Sequence, residues 1–171
     1  MDFCEFLSED ELIEIVPNFN HDKVLHLING DFGPFTPAVP VKVPLWMALN
    51  LFSKQKCKIN VPQWLIDIEE LWNEQKNNNG LIQMPCDHWI EVARALEKCN
   101  IPMPNAILTD LIARRENILK NSVRSLLDEV VNLDEDQIAQ VKIKNITKFE
   151  LAKLKKVILP NLAISKNIQK Y

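Results

Sequence analysis

Between Asn105 and Asn132 the apolar residues come in adjacent pairs: Ile107/Leu108, Leu111/Ile112, Ile118/Leu119, Leu126/Leu127 and Val130/Val131. Leu108, Leu119 and Val130 stand eleven residues apart, close to three turns of a straight α-helix. A helix of that length spans about 42 Å at about 1.5 Å per residue. That exceeds what a lobe of this size needs to cross its core, and two apolar residues per turn make a wide stripe. The spacing predicts one long helix, with part of its stripe facing something outside the chain. Packing within an internal bundle is the plainer alternative.

Before this helix the chain changes character twice. Residues 1–61 carry short β-like runs, "ELIEIVPNF", "KVLHLI" and "VPVKV", separated by turn signals. Asn29-Gly30 is a hairpin signal because both residue types accept positive φ. Pro34, Pro37, Pro40 and Pro44 then keep the backbone extended or turning. Pro44 suits a helix start, with Leu45, Leu49 and Phe52 on one face to about Lys54. "KCKI" is a short strand candidate. Pro62 opens a second helix with Trp64, Ile68, Leu71 and Trp72 on one face, and "NEQKNNNG" ends it as a flexible loop. Pro85 restarts a helix with Trp89, Ala93 and Leu96 as its stripe. Near the C-terminus Thr147 and Glu150 form a T-x-x-E capping box, with Ile146 and Leu151 at the staple positions, and Pro160 interrupts the helix that follows.

These readings give an α+β fold, mainly α. A small β-rich N-terminal lobe (1–61) is followed by a helical-bundle lobe (62–171) with one long helix. A lobe of about 60 residues buries only about 60% of its unfolded surface, so it leans on a neighbour. Pro44, Trp46, Pro62 and Trp64 mark the expected inter-lobe junction, the two tryptophans anchoring the helix starts in apolar surface.

With 171 residues, 47% hydrophobic and 25% charged, the chain has the composition of an ordinary soluble globular protein. No apolar run approaches the roughly 18–20 residues of a membrane span. The acidic start "MDFCEFLSEDELIEI" has no secretory pattern, so a cytoplasmic or nuclear location is the default. A net charge of −3 argues against general affinity for nucleic acid, and any DNA contact is at most indirect. The acids crowd residues 1–16 and the lysines crowd 142–171, which reads as two solvated faces.

No reaction centre emerges. Only three glycines occur, too few for a phosphate-cradling loop. Asp31-Phe32-Gly33 spells a kinase metal motif without the lysine and catalytic-loop motifs that should accompany it, so a turn after a strand explains it better. Cys86-Asp87-His88 has no further ligands at zinc spacing, since His21 and His26 lie in the other lobe. A helix first turn, with Asp87 complementing the dipole, is the simpler account. Cys57 alternates with Lys56 and Lys58 and is expected to point inward as a packed thiol. Asn145-Ile146-Thr147 is read as a capping segment, not a glycosylation acceptor. Arg114, Arg115, Lys120 and Arg124 lack interleaved aromatics, which favours a solvated or salt-bridged subunit contact over DNA. The bottom-up expectation is a protein with no catalytic site, cofactor or metal that works as an interaction or scaffold subunit.

"IVPNF" (15–19), "GDFGPF" (30–35), "VPLWMALNL" (43–51), "QKCKINVPQW" (55–64), "MPCDHW" (84–89) and "NITKFE" (145–150) occur in the order and spacing of one family. Together they make the chain resemble the Psf-two subunits (partner of Sld five, number two) of the eukaryotic GINS complex. The resemblance implies a nuclear heterotetramer with three sister subunits. It implies that the complex joins the MCM ring and the Cdc-forty-five protein in the replicative helicase, with ATP hydrolysed by the ring. It also implies a central-helix arginine followed by a basic residue, matched here by Arg115 and Lys120, although the usual intervening lysine-leucine reads Ile118-Leu119. The expected partner face of the long helix is Leu108, Leu111, Ile112, Arg115, Leu119 and Lys120. A helical adaptor unrelated to replication is the alternative.

Overall fold

The computed structural model describes residues 3–131 and 143–156, without the side chains of 3–5 and 126–131. The interruption at Pro160 and the side chains of Leu126, Leu127, Val130 and Val131 lie outside the described residues. In order, the elements are α1 (Phe3–Ser8), β1 (Leu12–Pro17), β2 (Leu25–Leu27), β3 (Gly30–Phe32), β4 (Val41–Pro44), α2 (Leu45–Ser53) and β5 (Cys57–Ile59). They continue with α3 (Gln63–Ile66), α4 (Ile68–Asn77), α5 (Trp89–Glu97) and α6 (Asn105–Val131), and a helical segment α7 runs over 148–156. This is the expected α+β architecture, rich in helix with a small N-terminal sheet.

The chain forms two compact units that interleave along the sequence. The first takes the chain up to Asp67 together with His88–Met103, and the second takes Ile68–Asp87 and the chain from Pro104 onward.

In the first unit, β1 is the centre of an antiparallel sheet ordered β4-β1-β5, with Ile15 opposite both Val41 and Ile59. Alternation along β1 sends Ile13, Ile15 and Pro17 inward and leaves Leu12 and Glu14 at the surface, the period-2 signature of a half-buried strand. β5 alternates likewise, with Cys57 and Ile59 buried and Lys58 exposed. A helix, α2, covers this sheet with Leu45, Met47 and Ala48. Pro44 caps α2 with extended backbone (φ −58°, ψ 146°), as the sequence suggested. The core is completed by α5, which buries Trp89, Val92, Ala93 and Leu96.

Several expectations are corrected. The hairpin turn is Ile28-Asn29, because Leu27 pairs with Gly30; only Gly30 takes positive φ (133°). Asp31-Phe32-Gly33 does end a strand, and Gly33 (φ 108°) allows the backbone to turn where a Cβ would sit 3.2 Å from the Lys23 carbonyl. The helix after Pro62 breaks at Asp67, whose carboxylate draws the Gln63 amide (3.0 and 3.1 Å). The helix expected at Pro85 begins at Trp89, since His88 is the non-helical cap (φ −115°, ψ 27°). Trp46 is 39% exposed, because Leu45, Met47 and Ala48 take the buried face of α2.

In the second unit, α4 packs along α6. The predicted long helix is present with 27 residues, but its described apolar stripe is spent internally. Leu108, Leu111, Leu119 and Val123 are all buried, and no side chain of α6 is among the exposed large hydrophobic residues described.

Candidate functional site: a buried arginine node

Arg115 is fully buried (0% exposed), on the same face of α6 as Leu108, Leu111, Leu119 and Val123. An arginine there must have every donor answered, because a desolvated unpaired guanidinium costs several kcal/mol. All five N–H groups are used. Nε and Nη2 donate to the two oxygens of Glu150, at 2.6 and 2.9 Å. Nη1 donates to Gln75 Oε1 (3.2 Å) and to the Ile82 carbonyl (2.9 Å). Nη2 also donates to the Asn145 carbonyl at 3.0 Å. The paired contact with Glu150 is the fork geometry that only arginine can supply.

Each partner is itself held. Glu150 Oε2 accepts from the Thr147 amide and hydroxyl, both at 2.9 Å, and the Glu150 amide donates back to Thr147 Oγ1 at 3.4 Å. This is the capping box expected from sequence. The same carboxylate thus starts α7 and neutralises Arg115. Leu151, at the expected staple position, is left exposed. Gln75, also fully buried, donates to the Gly80 carbonyl (2.8 Å) and accepts from the Ile82 amide (3.3 Å). Asn78 Oδ1 accepts from the Gly80 amide at 2.9 Å. Of the stretch 73–80 expected to be a flexible loop, the part up to Asn77 continues α4, and the turn beyond it folds back onto Gln75 through the Gly80 carbonyl. Asn145 adopts positive φ (60°) and donates its amide to the Leu81 carbonyl at 2.9 Å.

Around this centre the surface pairs are secondary. Lys153 reaches Glu116 at 3.2 Å, Lys120 lies 4.0 Å from the same carboxylate group, and Lys148 reaches Asp87 at 3.0 Å. Exposed pairs of this kind contribute at most about 1 kcal/mol.

The sequence-derived partner face is thereby divided. Leu108, Leu111, Arg115 and Leu119 are buried by the chain itself; Ile112 is half-buried and Lys120 exposed. Of the junction residues, Pro44, Trp46, Pro62 and Trp64 all fall within the first unit. Sequence reasoning missed Gln75 and the carbonyls of Ile82 and Asn145. A signal existed for Arg115: it occupies the i+7 position of the stripe that begins at Leu108 and Leu111.

No group of three or more metal-ligating side chains occurs among the described residues. No helix among them is long and apolar enough to cross a membrane. Cys57 is a packed thiol, as expected: it is buried and donates to the Ala48 carbonyl at 3.8 Å. Burial, reinforced by the charge of a Cys99 thiolate, pushes its pKa up from 9.0 to about 11. Burial raises Cys99 as well. The folded state therefore holds the Cys57 proton more tightly than the unfolded chain. Its contribution is fully present below pH 9.0 and is lost as pH rises through about 11. In a Cys4→Ser background, alkylation of the native chain near pH 8 is expected to modify half-buried Cys86 alone, with Cys57 and Cys99 reacting only on unfolding. Native-state labelling of Cys57 as fast as Cys86 contradicts this placement.

Fold and node together define a small α+β protein whose polar centre is architectural, with a guanidinium that ties two loops and a short helix to a long one. The model of the PSF2 N-terminal domain matches residues 1–60. A "DNA replication complex GINS protein PSF2" from Homo sapiens is 37% identical over 153 residues, covering 86% of this chain and 80% of the relative. The protein of that name from Xenopus laevis has the same identity and coverage. A "Probable DNA replication complex GINS protein PSF2" from Caenorhabditis elegans is 32% identical over 133 residues, 72% of this chain and 73% of the relative. The chain belongs to the PSF2 family of GINS complex proteins.

Proposed function

We propose that this chain is a non-catalytic structural subunit of a GINS heterotetramer acting in the nucleus in chromosomal DNA replication. In this reading it assembles with three sister subunits. The complex joins the MCM ring and the Cdc-forty-five protein in the replicative helicase, for initiation and elongation. It needs no cofactor, and any contact with DNA is at most indirect. The observation that carries the reading, beside family membership, is the Arg115 node. Every donor of that buried cation is spent on the chain's own groups, so its work is to set the shape of a scaffold.

Residues 1–61 serve as the β-rich domain and 62–171 carry the main assembly surfaces. On α6 the reachable members of the expected partner face are Ile112 and Lys120. Obligate interfaces of this kind are large and apolar. Expressed alone, the chain is expected to aggregate or fold poorly, with co-expression of sister subunits restoring soluble protein. A stable, monodisperse monomer in analytical ultracentrifugation overturns the obligate-subunit reading. Purification through a tag on the chain separates it from an unrelated helical adaptor, because sister GINS subunits and MCM proteins must co-purify.

A further inference from the structure

Several exposed large apolar side chains gather in one part of the first unit: Val24, Leu25, Leu27 and Ile28 on or beside the β2–β3 hairpin, and Trp46 in the first turn of α2. Ile28, in the hairpin turn, is 106% exposed. Leu25 and Leu27, two residues apart, share one face of β2, while His26 on the other face reaches Asp31 at 2.7 Å. Between the hairpin and α2 lies a groove of about 390 Å³. Leu25 and Leu27 line it from the hairpin, Trp46 and Leu51 from α2, over the buried Phe35 and Met47. Its polar lining is His21 and Asn50, and no lining residue carries a permanent charge.

Charge is segregated between the ends: Glu9, Asp10 and Glu11 stand beside Trp46, whose amide donates to the Glu9 carbonyl at 3.2 Å, and the basic charge lies at the other end. Leu51 is followed by the turn that closes α2, where the Lys56 amide donates to the Leu51 carbonyl at 2.9 Å. The amide of Asn18, next to the lining Phe19, donates to the Lys56 carbonyl at 2.9 Å. Exposed Lys54 and Lys56 therefore stand beside the Phe19–Leu51 end, and neither ammonium has a partner among the described residues. On the hairpin side, Asp31 is taken by His26, and Asp22 is followed in sequence by Lys23.

We propose that this groove docks an amphipathic, acidic segment of a protein outside the stable assembly in which the chain purifies. Apolar anchors fill the cleft between Leu27 and Trp46, and carboxylates meet Lys54 and Lys56. A contiguous apolar patch of this kind marks an interaction surface. Anchors in a preformed cleft supply the affinity, and the lysine pair fixes orientation and excludes basic segments.

The test uses the full chain, in the complex if it purifies only so. It is titrated by fluorescence anisotropy with a labelled amphipathic peptide bearing Leu and Trp on one face and Glu on the other, and with its Lys-for-Glu counterpart. The acidic peptide is expected to bind saturably and the basic one to bind about tenfold or more weakly. Trp46→Ala and Leu27→Asp are each expected to weaken the acidic peptide about tenfold or more. The double change Lys54→Glu, Lys56→Glu, at exposed positions that leave folding intact by circular dichroism, is expected to reverse the peptide preference. Equal binding of both peptides, no binding, or a preference unmoved by the lysine changes overturns the proposal. So does finding that Trp46→Ala or Leu27→Asp acts only by abolishing self-association, which would assign the groove to a second copy.

Discussion

Replacing Arg115 with alanine is expected to cost about 3–5 kcal/mol, read as a fall in the urea midpoint of the chain or of its complex. The loss has two parts. Glu150 is left as a buried carboxylate without its cation, and the carbonyls of Ile82 and Asn145 lose their donor. Lysine is a poor substitute: three donors on a flexible stem cannot meet five acceptor positions in a fixed plane. Arg115→Lys should therefore retain only a minority of the lost stability. Pairing Arg115→Met with Glu150→Met should recover a large part of the alanine loss, because two apolar side chains leave no buried charge. If Arg115→Ala shifts the midpoint by less than about 1 kcal/mol, the node is not the organising element described above.

Trp89→Ala is expected to destabilise the first unit by a similar amount, about 3–5 kcal/mol, through cavity formation. Trp89 is among the largest fully buried side chains, yet it lies more than twenty residues beyond the last strand, β5 (Cys57–Ile59). Its indole N–H has no hydrogen-bond partner among the described residues. Trp89→Phe, which removes that donor and keeps most of the ring volume, should cost much less. Because α5 and the sheet belong to one compact unit, hydrogen exchange at Ile13 and Ile15 in β1 should accelerate along with exchange in α5. Acceleration confined to α5 would show that the sheet stands without it.

The elements themselves were largely legible. Period-2 runs gave β1, β4 and β5, Pro44 located α2, and the paired apolar stripe located α6 to within one residue at its C-terminal end. The capping box at Thr147 was read correctly because its chemistry is local. What could not be read was which distant segments share a core. That the helix stops at Asp67 shows in the backbone (φ −88°, ψ 17°) and in no residue-type signal such as a glycine or proline. That α5 falls in the same compact unit as the sheet depends on a long-range return of the chain. The node was half legible: Arg115 sits on an apolar stripe, which implies burial, but Gln75 falls in a polar stretch that reads as a flexible loop and Asn145 in a glycosylation-like tripeptide. The wide stripe of α6 suggested surplus apolar surface there, whereas the exposed large apolar side chains described lie on other elements, a group of them on the hairpin and Trp46. Residue type foretells how much apolar surface a chain has, while packing decides where the remainder is left.

Arg115 addresses the two loops it touches through carbonyl oxygens, a group that every residue type carries. What the guanidinium reads at Ile82 and Asn145 is the route of the main chain, not its lettering. Exposed Asn77 and Asn79 are therefore free to drift in identity, provided the turn, held by the Asn78 side chain on the Gly80 amide, still presents the Ile82 carbonyl at the right place. A stretch that looks like filler can in this way be strict in path and lax in spelling.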